Sequence, residues 1–379
     1  MVDNPQNHGL TLNTKLLCDV VVEGAEATMK LSVNIDIAAA DPEDEPTKPG
    51  CVICLGEFGE DWPHEFDPEG TIKAASLSAA IHTVIEQHGL GASAAALLIA
   101  PGTDVQDTPA LIGAIELLNK IDMPLYVISC ASSIDHRLLS QFATLSGGEF
   151  ALLSHPDDFD DDVRSIISKA RTGVRRLGFI TIEVPAMMNI ESFFTVSPQF
   201  GLIQLSVSSR PKNSISFPLL TVGDTAASRS YLLSVNTPKL ASARYHLAHL
   251  KLINNLEGQG ESLVEAQVGF SVRSGMYRAN TRNSTVARLS EKLQLTTLVE
   301  MIAQAYLRED GGSISRMLST IEAALLKQDL RQLAQRVARL RVNFLHRGSF
   351  ALPELNETWL TVYTATRALM NDEKSLVGK

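Results

Sequence analysis

The clearest pattern in the chain lies between residues 94 and 174, where short apolar runs alternate with amphipathic stretches. Strands are predicted at 94–102, 123–133 and 149–154, and helices at 107–121, 135–148 and 157–174. Continuous apolar strands separated by helices indicate a parallel sheet covered on both faces. Upstream of this region, the pattern predicts a further strand at 51–58 and a helix at 70–89.

The first 50 residues predict a different element. Segments 16–24 and 29–38 are apolar enough for strands and flank a turn-like stretch, so they are expected to form a hairpin. A polar, proline-rich linker follows at 41–50.

After residue 175 the hydrophobic period changes twice. Six strand candidates are bounded by Pro, Asn, Gly and Ser, namely 178–185, 201–209, 215–223, 230–238, 243–254 and 263–274. They predict an antiparallel β-sandwich over 175–275. The helical period returns over 280–370, where short Gly or Asp breaks favour a C-terminal helical bundle. The first domain is then 10–174, with the strands near 10–40 joining the sandwich as the open alternative.

Composition narrows the class of protein. A chain of 379 residues is too long for one ordinary core, and its 45% apolar and 20% charged content is typical of a soluble globular protein. No apolar run has the length of a membrane span, and the first 15 residues lack the order of a secretion signal, so a cytoplasmic location is expected. Four cysteines are too few for a disulfide framework.

The formal charge of −10 weighs against binding to nucleic acid, which requires a basic surface. The charge is uneven, with acidic residues concentrated at 36–69 and 149–162 and arginines at 273–347. The acidic run 155–162 is typical of a helix start, although it also suits a basic partner. The arginines are interpreted as a solvated helix face or as a surface for an acidic partner, such as the acidic half of a neighbouring copy.

Residues 94–170 resemble the second half of a von Willebrand factor A (vWA) domain. The residues that carry the resemblance are the strand with its Pro-Gly break and then "PLYVISCASSIDHRLLSQFATLSGGEFALLSHPDDF" (124–159). This stretch has the family's order of strand, polar loop, helix, Gly-Gly, aromatic strand and acid-rich helix start. The resemblance implies an α/β fold: a Rossmann-like, parallel-sheet vWA-type domain, followed by an antiparallel β-sandwich and a C-terminal helical region that includes "TVYTATRAL" (361–369).

The resemblance also implies a divalent-cation site, built from an Asp-x-Ser-x-Ser turn, a lone Thr and a Thr-Asp-Gly turn. In one register Asp36 matches the first ligand and Thr71 the lone Thr, but the other positions lack ligand oxygens. They are occupied by Ala38, Ala40, Ala100 and Pro101. One or two ligands out of five cannot hold Mg²⁺, which binds oxygen ligands in an octahedral shell.

A second register starts the domain at 51–61, with Gly56 and Gly59 in ligand positions, and it lacks the serines as well. Both registers therefore predict a degenerate site with no metal ion.

These observations favour a non-enzymatic protein-interaction or scaffold protein without a cofactor. It would be a subunit of a larger assembly, a homo-oligomer being allowed, and would bind protein rather than nucleic acid or membrane. Ligands of open α/β sheets bind at the carboxyl edge, so the partner is expected there. The candidate contact residues are Asp36, Ala38, Ala40, Asp41, Thr71, Pro101, Asp104, Ser129 and Asp135.

Three alternatives stay open. Asp41, Asp104 and Asp107 are substitute ligands for a metal-dependent adhesion module. "CVICLGEF" resembles the opening of a RING finger, but there is no second Cys-x-x-Cys, and zinc needs four ligands per site. An enzyme would use the sheet edge, where Cys130 is followed by Asp135 and His136.

Overall fold

The structure is a computed structural model of the whole chain. The residues that it describes are 10–16, 20–22, 24–37, 51–55, 72–74, 79–80, 82–83, 86, 96–100, 113, 117–118, 123–129, 135–152, 161–172, 174–197, 201–203, 213–222, 227–253, 262–274 and 283–377.

The strands are β1 (Leu10–Leu16), β2 (Val20–Val22), β3 (Ala27–Ile37), β4 (Cys51–Leu55), β5 (Ile72–Ala74), β6 (Ala96–Ala100), β7 (Leu125–Ser129), β8 (Phe150–Leu152), β9 (Val174–Glu183), β10 (Asn189–Ser197), β11 (Gly201–Ile203), β12 (Ser214–Val222), β13 (Ala227–Thr237), β14 (Ala243–Ile253) and β15 (Ser262–Arg273). The helices with described bounds are α1 (His136–Leu145), α2 (Asp161–Thr172), α3 (Ser284–Leu307), α4 (Gly311–Lys327), α5 (Arg331–Arg347) and α6 (Leu352–Val377). The chain divides into two compact units, Met1–Ile134 with Leu138–Val286, and Asp135–Arg137 with Ala287–Lys379.

One sheet is parallel throughout and has the strand order β5-β4-β6-β7-β8. Every residue of β7 is buried, as the continuous apolar run at this position predicts for a strand covered on both faces. The order β6, β7, α1, β8 and α2 follows the α/β pattern of the sequence, and the predicted α/β fold is confirmed.

The predicted helix at 70–89 does not begin where the pattern places it. Its first residues form the short strand β5, which pairs with Ile53–Leu55 of β4. Helical residues follow at 79–80, 82–83 and 86. Pairing with the neighbouring strand has overridden the local helical preference of these residues.

Two further sheets have the orders β1-β3-β13-β10-β11 and β12-β9-β14-β15-β2. All their pairings are antiparallel except β15 with β2. Buried side chains from both sheets form one hydrophobic cluster, which includes Leu31, Val33, Phe193 and Leu233 from the first sheet and Ile182, Leu250 and Phe270 from the second.

The region before residue 40 differs from the predicted hairpin. β3 pairs with β1 and β13, whereas β2 joins the other sheet beside β15. The predicted hairpin between 16–24 and 29–38 is therefore wrong. The pattern of β3 explains its place, because buried Met29, Leu31, Val33 and Ile35 alternate with more polar positions, as in a strand with one core-facing side.

Strand β10, like most of β1, has no counterpart among the predicted strands. β10 pairs with β13, and the register of that pair shifts between Ile190 and Ser192 and between Thr195 and Ser197. Each shift breaks the two-residue alternation on which strand prediction relies.

Helices α3 to α6 follow the predicted helical period. On α4 the residues Ile314, Leu318, Ile321 and Leu325 are buried on one side. The carboxylate of Asp310 caps α4 by accepting a hydrogen bond from the Ser313 backbone N–H at 3.0 Å. None of the described helices is both long enough and apolar enough to cross a membrane.

The end of α1 is fitted closely against the start of β7. The Gly147 backbone has φ of +80°, the left-handed conformation that ends many helices, and the Gly148 N–H donates to the Ala143 carbonyl at 2.9 Å. The Ser146 hydroxyl accepts from the Leu125 N–H and donates to the Ala143 carbonyl, both at 2.9 Å. A Cβ atom at Gly148 would overlap the Leu125 carbonyl.

We expect Gly148→Ala to lower the free energy of unfolding by about 1–3 kcal/mol, because backbone must move to admit the methyl group. Gly113→Ala is the control, since a Cβ at this helical position has no heavy atom within 4 Å. The control is expected to be neutral or stabilising by up to about 1 kcal/mol. Urea denaturation measures both, and equal midpoints for Gly148→Ala and the parent chain would contradict the close fit.

Candidate functional site

The candidate site is the carboxyl edge of the parallel sheet. Because its strands run in one direction, their last residues lie along one edge; these are Leu55, Ala74, Ala100, Ser129 and Leu152. Open α/β sheets bind their ligands at this edge. The Ser129 side chain is fully buried at the end of β7, so it contributes to the base of the edge rather than to its exposed surface.

Three of the nine predicted contact residues are described. Ser129 ends β7 and Asp135 directly precedes α1, so both adjoin the segment 130–134 that follows the edge. The other six lie outside the described residues; they are Ala38, Ala40, Asp41, Thr71, Pro101 and Asp104.

Asp36 does not lie at this edge, which corrects the first register. It is on β3 of an antiparallel sheet, opposite Thr11 and Ser228, and the Ser228 hydroxyl donates to its carboxylate at 2.8 Å. The strand that pairs with β6 is β4, as in the second register. The composition of the two strands distinguishes them, because β4 is a continuous apolar run, whereas β3 alternates.

The ends of β4 and β6 test whether a divalent cation fits this edge. β4 ends at Leu55 and β6 at Ala100, and the sequence continues with Gly56 and Pro101, respectively. Neither of these two residues has a side-chain oxygen, which is the ligand that Mg²⁺ prefers. In the part of the chain that the structure describes, no three His, Cys, Asp or Glu side chains are grouped so that they could hold a metal.

Cys51 and Cys54, the start of the RING-like motif, lie within β4. That strand is paired on both sides, with β5 and β6. These two residues are therefore in an extended strand and not in a zinc-binding turn.

The start of α1 carries a partly buried ionic cluster. The Arg137 guanidinium donates to the Glu300 carboxylate at 2.9 Å and to the Asp135 carboxylate at 3.0 Å. The side chains of Arg137 and Glu300 are 12% and 10% exposed. Burial by itself lowers the pKa of Arg137, but the charges and hydrogen bonds of Glu300 and Asp135 outweigh it, and the pKa is raised. Arg137 is therefore a permanent cation, and Asp135 is one of its two anionic partners.

His136 lies beside this cluster. Its backbone N–H donates to the Asn356 side chain at 3.3 Å, and its ring centre is 6.3 Å from that of Trp359. The Trp359 ring in turn stacks on Tyr363 with 4.8 Å between centres. Burial lowers the pKa of His136, opposed by the charge of Asp135. The neutral imidazole is therefore the favoured form in the folded protein.

The sequence analysis selected Asp135 for its place after a strand and missed its partner. Glu300 lies in a largely apolar stretch of α3, between Val299 and Met301. A single acid in such a stretch is a signal for a buried, paired charge, since an unpaired carboxylate is costly to bury. The sequence alone does not identify the cation with which Glu300 forms an ion pair.

The parallel sheet, its helices and the antiparallel sheets define a vWA-like α/β fold. The chain is similar to the structure of a von Willebrand factor type A protein from Catenulispora acidiphila, with a TM-score of 0.62 and 11% identity over 88% of this chain and 91% of that chain. It is also similar to the crystal structure of the ArnB paralog VWA2 from Sulfolobus acidocaldarius, with a TM-score of 0.52 and 11% identity over 94% and 99% of the two chains.

At this identity the likeness shows the fold alone. No protein-family model matches the sequence, and no curated protein matches it.

We expect Arg137→Ala to lower the free energy of unfolding by about 3 kcal/mol, because Glu300 then keeps a buried charge without its cation. Arg331→Ala is the matched control. Arg331 also pairs with an aspartate, Asp329, at 3.0 Å, but both side chains are about 80% exposed. The control should cost less than about 1 kcal/mol. Equal losses in chemical denaturation would contradict the buried character of the Arg137 cluster.

We expect stability to fall as the pH drops below about 6.5, the ordinary pKa of histidine. The pKa of His136 is lower in the folded state than in the unfolded state. As the pH falls, the unfolded chain therefore binds a proton at His136 before the folded chain does, and the folded state loses stability until the pH reaches the folded pKa. His136→Gln should reduce the loss between about pH 7.5 and 5.5, and the exposed His346→Gln should not. An identical pH profile for His136→Gln and the parent chain would be evidence against a buried neutral imidazole.

Proposed function

We propose that the chain is a non-enzymatic protein-interaction module that binds a protein partner at the carboxyl edge of its parallel sheet without a metal ion. The observation that carries the proposal is the pair of strand ends at Leu55 and Ala100, which are followed by Gly56 and Pro101. A cation bound there would lack side-chain oxygens at two positions that the vWA resemblance assigns to its ligands.

The charges near α1 support the same interpretation. The Asp135 carboxylate is 19% exposed and is an ion-pair partner of Arg137. Recognition at the edge then depends on shape and polar contacts of the segments around it, from Pro101 to Asp107 and from Ser129 to Asp135. The module needs no cofactor.

The remaining regions fit a scaffold or an assembly subunit. We infer that the two antiparallel sheets form a β-sandwich and that α3 to α6 form a helical bundle. The protein would function in the cytoplasm. The metal-dependent adhesion module is the main competing function, and the following tests separate it from the proposal.

We expect millimolar Mg²⁺ or Mn²⁺ to leave the melting temperature unchanged. A site whose dissociation constant is one hundredth of the added ion concentration would raise the free energy of unfolding by about 2.7 kcal/mol. That gain corresponds to a rise of about 5–10 °C for a domain of 150–250 residues. A rise of this size would favour metal-dependent adhesion through Asp41, Asp104 or Asp107.

We expect Asp104→Arg to weaken capture of the partner about tenfold or more, because a bulky cation then lies in the proposed contact segment. Glu86→Arg makes the same charge change at an exposed position of the α/β region and is the matched control. Quantitative crosslinking from cell extract, followed by mass spectrometry, measures both variants with and without EDTA. Loss of capture with EDTA, or equal loss in both variants, would contradict the proposal.

A further inference from the structure

The helical hairpin of α4 and α5 has the opposite charge to the rest of the chain. Between Gly311 and Arg347 the sequence has seven Lys and Arg and two Asp and Glu, a net charge of +5 in a chain of −10. Helix α5 has five arginines, no lysine and no acidic residue. This segment therefore attracts an anionic surface, although the chain as a whole is anionic.

The cations of the hairpin are not all equivalent. Arg341 pairs with Glu322 at 3.1 Å, Arg331 with Asp329 at 3.0 Å, and Arg347 with Glu354 at 3.4 Å. Arg336 and Arg339 are exposed, and neither has an acidic partner among the residues that the structure describes. Their charges are available to another molecule.

Arg336 and Arg339 belong to one exposed stripe of α5, which we call the α5 basic face. Its members follow the i, i+3, i+4 spacing of one helix side and all are exposed; they are Gln332, Gln335, Arg336, Arg339, Val342, Asn343 and His346. Val342 is 45% exposed within it. Arginine and amide groups beside a partly exposed apolar side chain are typical of a protein-binding surface, in which Arg is enriched and Lys depleted.

A membrane surface fits this helix less well. An amphipathic helix binds a bilayer by inserting its apolar side. The apolar side of α5 is already buried within the protein, through Ala334, Val337, Leu340 and Phe344. The exposed surface of α5 has two large apolar residues, Val342 and Leu345, which are 45% and 61% exposed, and two such side chains give too little apolar area for insertion.

The chain itself contains a suitable acidic partner. Five of the six residues from Asp157 to Asp162 are aspartates. Asp161 and Asp162 are the first two residues of α2, and the other aspartates directly precede them in the sequence. The segment and the α5 basic face are therefore opposite in charge, with five aspartates against the exposed Arg336 and Arg339.

We propose that the α5 basic face binds the acidic segment 157–162 of a second copy of this chain, so that the protein self-associates through charge. Arg336 and Arg339 form charge-assisted hydrogen bonds with the aspartates, and arginine suits this contact because its planar fork matches a carboxylate. Segment 157–162 follows β8, whose last residue lies along the carboxyl edge of the parallel sheet, but the proposal rests on the two charged segments and not on Pro101 to Asp107 or Ser129 to Asp135, which are proposed for partner binding.

Sedimentation velocity of the full chain at about 50 mM and about 500 mM NaCl tests the proposal, since the Debye length shrinks from more than 10 Å to a few ångströms over this range. We expect association at low salt that weakens at least about tenfold at high salt. Arg336→Glu with Arg339→Glu should weaken the low-salt association at least about tenfold. Lys239→Glu with Arg244→Glu is the control, because it makes the same charge change at exposed positions near β14 and should leave association intact.

A charge exchange tests the pairing itself. Asp157→Lys with Asp158→Lys should also weaken self-association, and it leaves Asp160 to Asp162 at the start of α2 unchanged. A mixture of this variant with Arg336→Glu and Arg339→Glu should regain the association that neither variant has alone. Circular dichroism of each variant verifies that α5 is still folded.

Four results would overturn the proposal. They are a monomer at both salt concentrations, equal weakening by the control, no recovery in the mixture, and a melting temperature that responds to the exchange while the chain stays monomeric. Cosedimentation with vesicles of phosphatidylserine and phosphatidylcholine is run beside the association measurement. Vesicle binding that requires Arg336 and Arg339, in a chain that does not self-associate, would replace the second copy with a membrane as the occupant.

Discussion

Parallel pairing of β4, β6 and β7 is the constraint on which the candidate site depends. It requires the strands to end along one edge, and so the residues that follow Leu55, Ala100 and Ser129 determine what that edge can bind. The buried apolar strand β7 fixes the geometry, whereas the chemistry is set by the positions after each strand. Two of those positions are Gly56 and Pro101, which have no side-chain oxygen, and the proposal of a metal-free contact with protein rests on them.

The charged groups of the protein differ in burial, and the buried and exposed groups have different effects. Arg137 forms a partly buried cluster with Glu300 and Asp135, in which the two terminal guanidinium nitrogens each donate to a carboxylate. Such a cluster favours one arrangement of the start of α1, because a misplaced partner would leave a charge buried and unpaired. The arginines of the α5 basic face, by contrast, remain in solvent, where charge contributes to association more than to folding.

The sequence predicts this fold well where one period continues over a long segment. The α/β order after residue 94 and the C-terminal helices α4 and α5 follow from hydrophobic spacing, because β7 is a continuous apolar run and α4 and α5 each bury one regular side. The failures have local causes. β5 has only three residues, too few to show a hydrophobic period, and β10 is interrupted by two register shifts. One of the two partners of β3 is β13, which lies 190 or more residues away in the sequence. Pairing across such distances leaves no mark in a local pattern.

The sequence predicts where the carboxyl edge of the sheet lies, but it does not give all the residues that follow its strands. The polar positions after β7 pointed to Ser129 and Asp135, while Asp36 was placed at the edge because the first core strand was taken to be β3. The alternation of β3 against the continuous run of β4 is the signal that separates the two registers. Titration of the full chain with Mn²⁺, followed by the electron paramagnetic resonance of the free ion, tests the central claim most directly. We expect no saturable binding below about 1 mM, the weak end of the range for oxygen-ligand sites; one tight site per chain that is lost with Asp41→Ala, Asp104→Ala or Asp107→Ala would contradict it.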